Sequence, residues 1–142
     1  MSWFKNTKPQ KAIISEMTPL ELVTDLLVCL QLADNKVDYN EREAWNNTLT
    51  KLFPDHNPGH AEEALKKSFN EINDLEQRER DYRITKLIAA LVTHFPAAKI
   101  KKEIVPDLIK LIEADGIVLS AELDMVKIIE QALDDSTKYY YD

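Results

Sequence analysis

Residues 26–52 read LLVCLQLADNKVDYNEREAWNNTLTKL, an apolar run followed by an acidic turn and a second helical pattern. Apolar side chains nearly fill the first part, which predicts a helix buried on almost all sides. Asn35 tolerates the left-handed backbone conformation in which many helices end. Asp38 and Glu41 have the spacing of a capping box, which begins a helix. The stretch therefore predicts a helical hairpin with an acidic connection.

The same organisation returns in residues 107–133, which read DLIKLIEADGIVLSAELDMVKIIEQAL. An ungapped alignment of the two stretches matches Asp34 with Asp115 and Glu41 with Glu122. The other identities are Leu27 with Leu108, Leu30 with Leu111, Ala33 with Ala114, Val37 with Val118, and Leu52 with Leu133. Two such hairpins would bury their apolar faces against each other, and pseudo-twofold packing would bring both acidic turns to one pole.

Helical periodicity and helix-ending residues extend this reading to the rest of the chain. Thr18 and Glu21 form a second capping-box pattern, and Pro106 should kink or restart the helix that contains it. The run EQRERDYR, residues 76–83, predicts a solvated helix face. Helices are predicted over residues 19–33, 39–53, 58–73, 98–114 and 120–133, and another carries the stripe Ile84, Leu87, Ile88, Leu91, Val92 and Phe95. The last helix should bury Leu123, Val126, Ile129 and Leu133.

Composition supports an all-α protein. The chain of 142 residues has 2 glycines, where average usage would give about ten. Tight β-hairpin turns usually need glycine, so helices joined by short loops are favoured. We expect one domain over residues 18–135, preceded by a tail or short helix over 1–17 and followed by a tail over 136–142.

The net charge and the distribution of apolar residues restrict the classes of partner that we expect. The net charge is -7, which argues against nucleic acid because that binding depends on Lys and Arg at phosphates. No signal peptide and no run of about 20 apolar residues is seen, so we expect a cytoplasmic protein without an integral membrane segment. The N-terminus, with Trp3 and Phe4 among lysines, leaves peripheral membrane contact open.

The paired turns ADNKVDYNE and ADGIVLSAE resemble those of the TerB-like family, the tellurite-resistance-associated helical domain. That family is marked by an Ala/Ser-Asp-Gly turn with an acidic residue seven positions on. Asn35 stands for the glycine in the first copy. The resemblance spans residues 18–133 and implies a compact all-helical fold of six or seven helices built from two halves. It also implies that Asp34, Glu41, Asp115 and Glu122 form a divalent-cation-binding pole.

A cation site at the turns has to be weighed against simple helix capping. Neither turn is an EF-hand, since the third position counted from Asp34 is Lys36 and that counted from Asp115 is Ile117. Ca²⁺, Mg²⁺ or Mn²⁺ would take carboxylates from both turns, with Asp38 available only in the first. Capping alone would explain the acidity of Asp38 and of the glutamates. It explains Asp34 and Asp115 less well, because a helix C-terminus disfavours negative charge.

The sequence carries no Gly-rich phosphate loop, no nucleophile elbow, and no HExxH or CxxC motif. We therefore expect a protein that is not an enzyme. The favoured function is a stress-response module that binds a divalent cation at the acidic pole and acts through protein partners. A metal-free scaffold that docks partners on its acidic face is the alternative, and an enzyme that uses the carboxylates with a metal comes third.

Overall fold

The described part of the chain is helical, and no strand occurs in it. The computed structural model describes residues 13–32, 42–112 and 120–138. The elements are a 3-10 turn (Ile14–Glu16), α1 (Pro19–Leu32), α2 (Arg42–Leu52), α3 (Pro58–Ile72), α4 (Gln77–Leu91), α5 (Ala97–Lys99), a π-helical segment (Ile100–Ile104), α6 (Val105–Ile112) and α7 (Ser120–Lys138). The predicted all-α fold is confirmed.

Helix α1 begins at the capping box that the sequence predicts. The backbone N–H of Thr18 donates to the Glu21 carboxylate at 3.0 Å, and the Glu21 N–H donates to the Thr18 hydroxyl at 3.3 Å. Pro19 occupies the first helical position, where its missing N–H costs no helical hydrogen bond. These residues together set where the central helix starts.

Helix α1 is the centre of the fold. Every residue from Leu22 to Leu30 is buried, and the helix packs against α3, α4 and α6. Each of those helices has an apolar face, whose residues follow the predicted helical spacing. Their fully covered side chains include Ile72, Ile84, Leu87, Ile88, Leu91 and Leu108, whereas Leu65, Phe69, Val92 and Phe95 are only partly buried. Because α1 has no solvated face, the other helices must surround it.

Pro106 changes the helix that contains it, as predicted. The five residues Ile100–Ile104 are π-helical, and α6 restarts at Val105 with Pro106 in its first turn. Proline has no N–H to donate to the preceding turn, and π segments commonly absorb such a defect within an otherwise continuous helix. Ile100 and Ile104 remain fully buried, so the core is continuous across the irregular segment.

Helix α7 begins at Ser120 as predicted and continues to Lys138, beyond the predicted end at Leu133. Ile129 and Leu133 are buried as expected, but Val126 is only partly buried. Met125 lies in the core instead, with 1% of its surface exposed. Leu123, the other residue predicted to be buried here, has its side chain outside the described residues.

Two side-chain contacts show which parts of the helices are neighbours. Phe53 and Phe95, which follow α2 and α4, lie with their ring centroids 6.1 Å apart. Gln77, the first residue of α4, contacts Met125 near the start of α7. The residues that follow α2 and α4 are therefore together, and the first residue of α4 lies beside the sixth residue of α7. The contacts of the described residues do not show the predicted pseudo-twofold relation.

Candidate functional site

The residues of the predicted acidic pole lie almost entirely outside the described residues. Asp34, Asp38, Glu41 and Asp115 fall outside, and Glu122 lies in the first turn of α7 with its side chain outside the description. The helices that follow the two turns are described. The first turn lies between α1 and α2 in the sequence, and the second lies between α6 and α7.

An ion pair joins α2, the helix after the first turn, to α6, the helix before the second turn. The Lys51 ammonium group lies 3.0 Å from the Asp107 carboxylate. Lys51 is near the end of α2, and Asp107 is near the start of α6. Helix α6 also packs against α1, so it contacts both helices that flank the first acidic turn. The second acidic turn follows α6 in the sequence.

The described part of the chain contains a buried polar cluster that the sequence analysis missed. This buried charge cluster consists of Asp25 on α1, Ser68 and Glu71 on α3, and Arg83 on α4. The Ser68 hydroxyl donates to one oxygen of the Asp25 carboxylate, and Nε of Arg83 donates to the other at 2.7 Å. The guanidinium of Arg83 also donates to Glu71 at 3.2 Å. The cluster thus joins three helices through hydrogen bonds.

The low exposure of the Asp25 and Arg83 side chains determines how much the cluster affects stability. Asp25 is 1% exposed, and the Arg83 side chain is 11% exposed. A carboxylate withdrawn from water is costly unless charged and hydrogen-bonding partners compensate, and both are present here. Desolvation nevertheless outweighs the attraction of Arg83 and raises the pKa of the Asp25 carboxyl above its ordinary 3.8. Both oxygens of Asp25 accept hydrogen bonds from protein groups, so this carboxylate has a structural role.

The raised pKa of Asp25 makes a testable contribution to the pH dependence of stability. The folded protein holds the Asp25 proton more tightly than the unfolded chain does. The resulting stabilisation is fully present below about pH 3.8, the unfolded value, and is lost as the pH rises through the higher folded pKa. The unfolding free energy of the wild type relative to Asp25→Asn should therefore increase on acidification through this window. Denaturant titrations at several pH values measure this difference, and a decrease would contradict the expectation.

Cys29 lies one helical turn after Asp25 on α1 and is fully buried. Burial, and secondarily the charge of Asp25, raises the pKa of its thiol to about 12. Since the thiolate is the reactive form, Cys29 should not react with Ellman's reagent at pH 8 while the protein is folded. The reaction should become complete in guanidinium chloride. Rapid reaction of the folded protein would show that α1 opens readily at this point.

Comparisons of the chain with protein-family models, curated proteins and solved structures find no match. The resemblance to the TerB-like family therefore rests on the residues of the two acidic turns. Among the described residues, no group of three or more His, Cys, Asp or Glu side chains is arranged to hold a metal ion. Within the same residues, no helix has the length and apolar character needed to cross a membrane.

Proposed function

We propose that the protein is a non-catalytic, TerB-like stress-response module that binds a divalent cation at an acidic pole and acts through protein partners. The cation would be Ca²⁺, Mg²⁺ or Mn²⁺, all of which prefer oxygen ligands. The ligands would come from both turns of the repeat. They are Asp34, Asp38 and Glu41 of the first turn and Asp115 and Glu122 of the second.

The observation that best supports this proposal is the packing of the helices beside the turns. Helix α6, which precedes the second turn, contacts both α1 and α2, which flank the first turn. A hard cation takes six or more oxygen ligands, and carboxylates from both turns would leave fewer of these positions to water than those of one turn. Turns at one end of the fold would allow two sets of carboxylates to share one ion, whereas turns at opposite ends would not.

The charges of Asp34 and Asp115 give a physical reason for an ion. Each follows the C-terminus of a helix in the sequence, α1 and α6 respectively. A negative charge there opposes the helix dipole and costs about 0.3–1 kcal/mol. Like charges brought to one pole would repel each other as well. A bound divalent cation would offset both effects, and capping would not.

Cation-dependent thermal stability tests the proposal. A cation at about 100 times its dissociation constant should stabilise the folded protein by about 2.7 kcal/mol, and the melting temperature should rise accordingly. Combining Asp34→Asn with Asp115→Asn should abolish the rise. The matched control is Asp55→Asn with Asp135→Asn, two exposed carboxylates outside the turns, which should retain it.

The same melting measurement distinguishes the cation-binding proposal from the alternative of a metal-free scaffold. If millimolar Ca²⁺, Mg²⁺ and Mn²⁺ all leave the melting curve unchanged, the protein does not bind these cations. Under the scaffold alternative, the Asp34→Asn, Asp115→Asn variant would be neutral or more stable, because repulsion between carboxylates is relieved. That variant would also lose a protein partner in a pull-down that the control variant retains.

A further inference from the structure

A surface groove runs along α4, between this helix and the 3-10 turn Ile14–Glu16. Two adjoining cavities of about 450 and 670 Å³ form it, and both are lined by Ile14, Arg83 and Lys86. The first continues past Leu75 and Tyr82. The groove therefore has an apolar floor that extends over several turns of α4.

Exposed apolar side chains are concentrated at the groove. Ile13 and Tyr82, with 59% and 63% of their surfaces exposed, are the large hydrophobic residues that the described part of the chain leaves exposed. Ile13 lines one cavity and Tyr82 lines the other. Exposed apolar residues scattered singly are ordinary, but their concentration along one groove is typical of an interaction surface.

The charge of the groove differs in sign from that of the whole protein. Arg78 and Lys86 are exposed at the groove, and the Lys86 ammonium group lies 4.7 Å from the centre of the Tyr82 ring. Arg83 turns inward to the buried charge cluster. Glu79 is the acidic residue of this lining, and its carboxylate accepts the Glu76 N–H at 3.1 Å. A basic rim on a chain of net charge -7 favours an acidic ligand.

We propose that this groove binds an amphipathic segment of a partner protein, with apolar side chains on one face and Asp or Glu beside them. Apolar anchors would cover Ile13, Ile14 and Tyr82, while the acidic residues would pair with Arg78 and Lys86. The chain's own residues 1–12 suit the groove less well, since they contain three lysines and no acidic residue. No groove residue belongs to the proposed cation site, so the two proposals can fail separately.

A designed peptide provides the probe for this surface. It has about four helical turns, with leucine on one face and glutamate on the other, and carries a fluorescent label. We expect the full chain to bind it, with chemical-shift changes concentrated at Tyr82 and Ala90. Lys86→Glu should weaken binding about tenfold, because attraction is replaced by repulsion. Lys127→Glu, which changes an exposed lysine of α7 outside the groove, should have no effect.

Further outcomes would overturn the proposal. Absence of binding at millimolar peptide would do so, as would equal binding by a peptide with lysine in place of glutamate. Tighter peptide binding by the full chain with Trp3→Ala and Phe4→Ala would assign the groove to the N-terminal segment instead. A concentration-dependent dimer abolished by Lys86→Glu would assign it to a second copy. Should Lys86→Glu fail to fold, Tyr82→Ala changes an exposed side chain and should likewise weaken peptide binding.

Discussion

Replacement of Arg83 by leucine is expected to lower the free energy of unfolding by about 3–5 kcal/mol. The substitution removes the Nε donor 2.7 Å from Asp25 and leaves that carboxylate buried with the Ser68 hydroxyl as its remaining partner in the buried charge cluster. A buried charge without its counter-ion is among the largest single causes of destabilisation. Urea denaturation at neutral pH measures the change.

Substitution of Asp25 and substitution of Arg83 should lower the free energy of unfolding by different amounts. Asp25→Asn keeps the shape of the side chain, and the guanidinium of Arg83 retains Glu71 at 3.2 Å. The cost should therefore be smaller than that of Arg83→Leu. Arg78→Leu is the matched control, because Arg78 is an exposed arginine on the same helix. Substitution of both Asp25 and Arg83 by leucine should recover much of the loss. Equal, small effects of both single substitutions would show that the cluster is solvated.

Local sequence patterns were enough for most of the helical framework. The Thr18 capping box, the α3 start at Pro58 and the irregularity near Pro106 all depend on residues within one or two helical turns. The stripe from Ile84 to Leu91 is buried as its spacing predicts. Such features depend on neighbours along the chain, so a single sequence reveals them.

The buried charge cluster could not be derived in the same way. Asp25 interrupts an otherwise apolar run in α1, which was the available signal that a partner must exist. Arg83 belongs to the charged run that predicted a solvated helix face, and its side chain is mostly buried instead. The two residues are 58 positions apart, and only the packing of α1 against α4 brings them together.

The acidic pole could be predicted from the sequence in part. The repeat that pairs Asp34 with Asp115 is visible in the sequence, and each copy of the turn lies between two described helices. Whether carboxylates of the two turns approach one another depends on long-range helix packing, which periodicity does not encode. The packing of α6 against α1 and α2 supplies part of that information. The cation titration supplies the rest.

Truncation of Leu26 to alanine is expected to cost about 2–5 kcal/mol of unfolding free energy. Leu26 is 0% exposed and lies in the middle of α1, the helix that packs against α3, α4 and α6. Surrounding side chains on several helices cannot all move to fill the space, so a cavity remains and its lining loses contacts. Urea denaturation of Leu26→Ala beside the wild type gives the cost.

Two comparisons establish that the cost arises from burial at the centre of the fold. Leu26→Met conserves volume and should cost less than about 1.5 kcal/mol. Leu65→Ala removes the same atoms from a partly buried position on α3 and should cost less than Leu26→Ala. If Leu26→Ala were no worse than Leu65→Ala, α1 would not be the central helix. A cost near the top of the range would indicate that the helices around α1 relax little when it loses volume.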